Sequence, residues 1–451
     1  MEKTFRSWDV DQAWLFPPSV RDLVPENHIA HFVRDLVRDE LDLRAIHESY
    51  SGLRGMPPYH PTMMTALLLY AYSRGVYSSR KIETSCHERV DFMAVTAMSA
   101  PDHSTIHAFR QRHEKALSGL FGQVLGLCLR AGLVKLGHVA LDGTKVKANA
   151  SKHKAMSYAR MCRAEREYAE IVRGWFERAN EIDAVEDAEY GDRRGDEMPD
   201  WARTKAGRLA KIREAKARLE AEAKEEAERI AREREAYEKE NGRRPGGTPP
   251  RALSGKPPDK AQSNFTDPES RIMKMTDGYE QAYNCQVAVD AAHQVIVAQH
   301  VVAKQNDGAE LIPTLEQLEA EIGTLPEEFS ADSNYCSEAN LKALDDRGIR
   351  GYVATGRRTH DRSTATNNER AHAGERAGEM RRRLRRGGWR SRYRLRKQTV
   401  EPVFGQIKEA RGFRRFLTRG LKRVGTDWSL ICTAHNLLKL FGAIKTRPAI
   451  G

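Results

Sequence analysis

The chain has 451 residues, with 75 Lys and Arg against 63 Asp and Glu and a formal net charge of +12. At about 150 residues per domain, that length predicts about three units and ample material for a buried core. No run approaches the ~20 apolar residues of a membrane span; the best stretch, Met63 to Ala71, is nine residues long. The first residues, Met1 to Ser7, lack the basic-then-apolar build of a signal peptide. Six cysteines without a CxxC pair argue against a disulfide framework or zinc ribbon. A cytoplasmic protein with a basic surplus is expected, and nucleic acid is the polyanion such a surplus meets.

From its N-terminus the chain reads as helical to about residue 135. Ile29, Phe32, Val33, Leu36 and Val37 recur at helical spacing after Pro25-Glu26-Asn27-His28. His60-Pro61-Thr62 opens a helix that Gly75 closes, Ser78 caps another, and Asp102-His103-Ser104-Thr105 starts a third. Phe121, Val124, Leu125, Leu127 and Leu129 continue to a C-terminal cap at Gly132. Such short helices suit a DNA-binding helix-turn-helix unit or a dimerising bundle, and spacing alone does not choose. His103 and His107 stand at i,i+4, a metal-ligand spacing with no third ligand in evidence.

The texture changes at Leu136 to Val146, a β-branched and apolar run with Asp142 near its middle. From Trp201 to Glu240, Ala, Glu, Lys and Arg dominate. A thin stripe of Leu209, Ile212, Leu219, Ala223, Ile230 and Tyr237, broken at Lys216, predicts one arm of a solvated helical hairpin with Tyr158 to Ala179. Asn241 to Pro258 is a linker. Two strands are expected at Ala282–Asp290 and His293–Val302, then a helix at Leu311–Ile322 and a strand at Glu328–Asp332. A helix at Ser337–Arg347, a strand at Gly351–Ala354 and a helix-like stretch from Trp428 to Phe441 complete the order.

Charge is localised near the end of this order. Arg357 to Arg423 contains 22 Lys and Arg and 6 Asp and Glu, leaving the remainder slightly acidic. Trp389, Tyr393, Phe404, Phe413 and Phe416 are interleaved with the cations, which favours a basic surface docked on a folded domain over a solvated tail.

Three antiparallel strands followed by alternating helices and parallel strands form a ribonuclease H-like order, an α/β mixed sheet flanked by helices. The expected units are a helical N-terminal domain (1–135), a catalytic domain (136–150 and 270–450) and a charged helical insertion with linker (151–269). A basic DNA-facing segment (357–423) lies within the catalytic part. Metal-assisted phosphoryl transfer needs hard oxygen ligands converging on one point. In this order the converging places are the first strand, the end of the fourth strand and the first turn of the final helix, where Asp142, Asp332 and Glu401 stand. Each has a plainer reading: Asp142-Gly143 as a turn, Asp332 as a helix cap, and Glu401 as a complement to a helix dipole. On a helical wheel Glu401, Gly405 and Lys408 share one face, with Val403 and Ile407 on another. Lys408 is then placed to clamp a phosphate.

At these residues the sequence resembles bacterial insertion-sequence transposases of the DDE class. The resemblance is carried by Tyr59-His60-Pro61-Thr62, Tyr70 to Gly75, Ser78 to Glu83 and Pro101 to Ile106. It continues through Leu141-Asp142-Gly143-Thr144-Lys145, Asp267 to Arg271, Tyr283-Asn284-Cys285-Gln286, Ala331 to Tyr335 and Thr399 to Lys408. It implies Mg²⁺-dependent cleavage at the ends of a mobile element and strand transfer into target DNA, with Mn²⁺ as a substitute ion. Asp142, Asp332 and Glu401 match its metal-binding triad. Its partners would be double-stranded DNA, as terminal inverted repeats and target, and a second copy of the chain; its place would be the nucleoid. The family's signature sets a Tyr, an Arg, the Glu and a Lys at fixed spacing, and Lys408 fits. Arg396 follows Tyr393 as expected but stands one residue too far from Glu401. Lys397 has the family's distance to Glu401, yet Arg394 then stands in the tyrosine's place. All four are carried with Lys408 as DNA phosphate contacts. Asn334 occupies a position where the family has Gly, and Asn tolerates a positive φ there. Two other readings stand beside this one: a ribonuclease H-like nuclease that does not join strands, and a non-catalytic DNA-binding protein with a helical interaction module.

Overall fold

Local signals set the first elements of the structure, a computed structural model that describes residues 19–50, 57–171, 173–174, 200–244, 250–276, 278–356, 374–387 and 391–446. Seven helices come first: α1 (Ile29–Asp39), α2 (Arg44–His47), α3 (Pro61–Ser73), α4 (Ser79–Glu88), α5 (Val90–Thr96), α6 (His103–Arg112) and α7 (Glu114–Arg130). Their starts carry the expected caps. His60 accepts the Thr62 N–H ahead of Pro61, and Asp102 accepts the N–H groups of Ser104 and Thr105. Ser78 stands at the α4 N-cap without a side-chain bond. α3 is buried over most of its circumference, from Met64 to Ser73, which marks it as an interior helix.

The sheet begins with β1 (His138–Lys147), whose Val139, Ala140, Leu141 and Val146 are fully buried. A short strand, β2 (Ala155–Ser157), leads into a helix over residues 158–171, α8, and the long α9 (Asp200–Asn241). These two helices share a small core of Met161, Ala164, Ile212, Ala215 and Leu219, closed by Glu165 pairing with Arg213 and Lys216. The lysine that interrupts the apolar stripe thus bridges the pair. Tyr237, farther along the stripe, is exposed, so the seam is confined to the first half of α9. Residues 175–179 of the expected first arm lie outside the described residues.

β3 (Gln262–Asn264) pairs with β2, and β4 (Arg271–Met275) adds a strand that the sequence pattern does not announce. β5 (Gly278–Asp290) is longer than expected, because its first residues pair with β4, and β6 (Ile296–Val302) starts three residues later than expected. After α10 (Leu311–Ile322), β7 (Glu328–Ala331), α11 (Glu338–Asp346) and β8 (Arg350–Val353) complete the sheet. Among the described residues it has six strands: β6 and β4 lie along one edge of β5, followed by β1, β7 and β8. β5 pairs antiparallel with β1, β4 and β6, while β1–β7 and β7–β8 are parallel. The fold is therefore a mixed sheet flanked by helices.

α12 (Glu375–Gly387), α13 (Leu395–Gly405), a π-helical turn (Gln406–Ala410) and α14 (Leu421–Thr446) follow. α14 starts seven residues before the apolar stretch that marks it and ties the sheet to the N-terminal helices. Asn436 bonds both the N–H and the C=O of Ile296, and Trp428 donates to Gln286 O. Tyr72 donates to Asp427, and Ser429 to Ser118 O. One apolar core runs from Ile29 through the sheet to Leu440. The basic segment is pinned to this core by its aromatic residues. Phe413 and Phe416 are buried against each other, Tyr77, Tyr283 and Trp428. Gly75, with φ +75, lies beside this anchor, where a Cβ would come within 2.7 Å of Arg411 O. Residues 357–373 and 388–390 of the basic run, Trp389 among them, lie outside the described residues.

Candidate functional site

β1 carries Asp142 in mid-strand, opposite Val287 of β5, so Asp142-Gly143 is not a turn. Asp332 directly follows β7. The parallel register sets His138 against Glu328 and Ala140 against Ser330. The pairing ends there, and Asp332, just past β7, lies close enough to Asp142 on β1 for its charge to act on the Asp142 carboxyl. Asp332 also caps the 3₁₀ turn Ser333–Tyr335, accepting the Asn334 N–H at 2.8 Å. Asn334 has no positive φ, contrary to expectation, because the 3₁₀ turn is right-handed; its amide instead bonds Asp332 Oδ2 at 3.3 Å.

α13 lays Arg396 across this pair. Its Nη1 donates to Asp142 Oδ2 at 2.5 Å, while Asp142 Oδ1 accepts the Gly143 N–H at 2.9 Å. Arg396 is 9% exposed, and its Nε lacks a hydrogen-bond partner. The Tyr393 ring lies 5.9 Å from the guanidinium carbon. Burial pushes the Asp142 carboxyl up to about 6; Arg396 pulls it down and Asp332 pushes it up. Burial also raises Asp332, against the Asn334 N–H and Arg396, with Asp307 adding to the rise. Burial opposes charge on Arg396, but Asp142, Tyr393 and Asp332 more than offset it. Two half-buried acids thus share the field of one cation, which pairs directly with Asp142.

Of the basic residues carried from the sequence, Arg394 and Lys397 are exposed, whereas Tyr393 and Arg396 face the acids. Lys408 is half-buried and donates to Lys145 O on β1 at 2.8 Å. Burial lowers its pKa. Val403 and Ile407 are fully buried, as the wheel requires. The wheel does not extend to Lys408, since regular α-helix stops at Gly405 and the π turn changes the phase.

Glu401 departs from its expected place. It is the seventh residue of α13, not in the first turn of a helix, and it is exposed. Pro402, a residue common in the first turn of a helix, here sits inside one. The Gln398 carbonyl that its missing N–H leaves free accepts instead from Gln294 Nε2 at 3.2 Å. Among the described residues no three His, Cys, Asp or Glu side chains form a group able to hold a metal ion, so Glu401 does not join Asp142 and Asp332. The same holds for His103 and His107; His103 pairs with Glu83 at 2.8 Å.

A buried net beside the acids centres on Asp307, which was not singled out from the sequence, and draws its other members from the blocks that carry the resemblance. Asp307 Oδ1 accepts from Lys145, Asn284 and Gln286, and Tyr335 donates to Gln286 Oε1. The polar Asn284 and Gln286 at buried positions of β5, amid Ala282, Cys285, Val287 and Ala288, are the signal that could have exposed it.

Residues 18–112 match a transposase domain family (DUF772), and residues 355–441 match a transposase DDE domain family. The second match includes Tyr393, Arg396, Glu401 and Lys408 but neither Asp142 nor Asp332. No curated protein and no solved structure matches the chain. Among the described residues no helix is long and apolar enough to cross a membrane.

Proposed function

We propose, taking this chain as the insertion-sequence transposase of the DDE class that its two domain matches support, that it cuts the ends of its element and joins them to target DNA by metal-assisted phosphoryl transfer. The observation that carries this reading is the meeting of two half-buried acids beside Arg396: Asp142 on β1 and Asp332 just past the parallel neighbour β7. The strand order β6-β5-β1-β7-β8, with β1 central and parallel to β7, is the one expected for a ribonuclease H-like core and supports the reading.

The two carboxylates fit a hard divalent cation: their oxygens are the donors Mg²⁺ and Mn²⁺ prefer, and burial disfavours their charges when they lack one. Asp142 and Asp332 would hold the ion, and Glu401, which stands apart from them in this arrangement, would join as the third ligand once α13 shifts to release Arg396 from Asp142. Bound there, Mg²⁺ or Mn²⁺ would help generate the oxygen nucleophile and stabilise the leaving oxygen.

The chain's other residues orient the DNA. Arg396 must leave Asp142 Oδ2 before that oxygen can serve as a ligand. Once released, its guanidinium can turn a pair of N–H groups onto one phosphate, the fork geometry such an anion accepts. Tyr393 stacks beside that fork and limits where it can turn. Lys408, anchored on β1, supplies a second cation, and exposed Arg394 and Lys397 extend the positive surface outward. Two element ends must be held at once, so the active form is a homodimer working at the nucleoid.

The test is nicking and strand transfer on DNA carrying the element's terminal inverted repeats, with Mg²⁺. Asp142→Ala, Asp332→Ala and Glu401→Ala should each abolish both steps. Activity surviving any of them removes that residue from the site. Nicked DNA without joined products would instead identify a hydrolytic nuclease.

A further inference from the structure

A third acid lies beside the pocket and has no role in the reaction described above. Asp307 stands between β6 and α10 and is 8% exposed. Its Oδ1 accepts from Lys145 Nζ at 2.9 Å, Asn284 Nδ2 at 2.6 Å and Gln286 Nε2 at 2.9 Å. Its Oδ2 takes the Asn334 amide at 3.4 Å, a long and weak bond.

Each donor comes from a segment that frames the metal-holding acids. Lys145 lies three residues beyond Asp142 on β1. Gln286 and Asn284 lie opposite Gly143 and Lys145 in the β1–β5 ladder. Asn334 gives Asp332 both its backbone N–H and its amide. Tyr335, in the same turn, donates to Gln286 Oε1, and Asn340 holds Tyr335 O and Gly308 O together. Gly143 leaves the space this net needs: a Cβ there would collide with Gln286 Nε2 and come within 2.7 Å of Asp307 Oδ1.

Three donors on one carboxylate oxygen exceed its two lone pairs, so Oδ1 has no capacity left for a cation. Asp307 therefore turns that oxygen to the surrounding side chains rather than to a metal. Its bonds tie the Asp332 turn to β1 and β5, and the distance between Asp142 and Asp332 depends on that tie. We propose that Asp307 is a positioning residue that sets the spacing of Asp142 and Asp332 for a divalent ion, acting through Gln286, Lys145 and the Asn334 turn. The inference rests on the reading of Asp142 and Asp332 as metal-holding residues. Partners of metal ligands typically change affinity 10–100-fold when removed, which sets the expected effect.

The experiment measures binding of Mn²⁺ alone to the full chain, from the electron paramagnetic resonance signal of the free ion. Wild type is compared with Asp307→Asn, Asn334→Ala and Asp142→Asn, with melting recorded for each. Asp307→Asn keeps the shape but places a donor or a neutral acceptor among three donors. It should weaken Mn²⁺ at least 10-fold. Asn334→Ala keeps the Lys145–Asp307 pair and the fold, and should weaken Mn²⁺ several-fold with an unchanged melting midpoint. That separates positioning from mere support of the fold, and Asn334→Ala decides the matter should Asp307→Asn fail to fold. Wild-type affinity in a folded Asp307→Asn, or in Asn334→Ala, overturns the inference while leaving the metal site intact. Equal binding by wild type and Asp142→Asn would show instead that the underlying site reading fails, and the inference with it.

Discussion

Replacing Asp142 with asparagine should stabilise the metal-free protein at neutral pH while abolishing its chemistry. Burial pushes this carboxyl from 3.8 up to about 6, with the Arg396 ion pair already counted against the rise. Holding the ionised form in the folded chain therefore costs about 3 kcal/mol, at 1.36 kcal/mol for each pH unit. The side chain is 19% exposed, and water reduces that figure to roughly 2–3 kcal/mol. Asparagine imitates the protonated acid and escapes the cost. The sign follows from the raised folded pKa: the folded state binds the proton more tightly than the unfolded one. The cost is absent below about pH 4, grows as pH rises to 6, and is constant above. Urea unfolding in EDTA at pH 3.5, 5.5 and 7.5 should show Asp142→Asn nearly equal to wild type at the lowest pH and more stable at the highest. An equal gap at every pH, or a less stable variant at pH 7.5, would refute the burial argument. Adding Mg²⁺ should narrow the gap by stabilising wild type alone, by about 2.7 kcal/mol at a hundred times the dissociation constant.

Glu401→Gln changes an exposed position, so unfolding should move by no more than about 0.5 kcal/mol while DNA cleavage is lost. Calorimetry beside the nicking assay checks both. Trp428→Ala empties a fully buried site and deprives Gln286 O of its indole donor. A loss of about 3–5 kcal/mol, read from the urea midpoint, is expected, and wild-type stability would show that α14 does not close the core. DNA affinity should fall steeply with salt, about 1,000-fold between 50 and 200 mM for some six phosphate contacts; a flat titration would count against the exposed arginines and lysines of residues 391–423 as the binding surface.

Helix starts were legible where a cap and an apolar period coincide within a few residues, as at His60-Pro61 and Asp102. The strand holding Asp142 and the strand ending before Asp332 were legible for the same reason, since β-branched runs and a terminal carboxylate are local features. β4 was not legible, because its alternation is weak and its existence depends on the extra length of β5 that pairs with it. The start of α13 was not legible, because the helix runs through a proline, Pro402, and the carbonyl that proline frees needs another donor. Here that donor is Gln294, 104 residues away in sequence.

Sequence alone therefore determined which residue types were present for phosphoryl-transfer chemistry, and in what order along the chain. Tertiary structure decided between neighbours in that order. Arg396 and Lys397 differ by one position, yet the helix turns one onto Asp142 and the other into solvent. It also decided what Asp307 does, since its partners Lys145, Asn284 and Gln286 lie 162, 23 and 21 residues away. Periodicity reports only on a residue's near neighbours, whereas the bonds of a buried acid are set by what the sheet brings beside it.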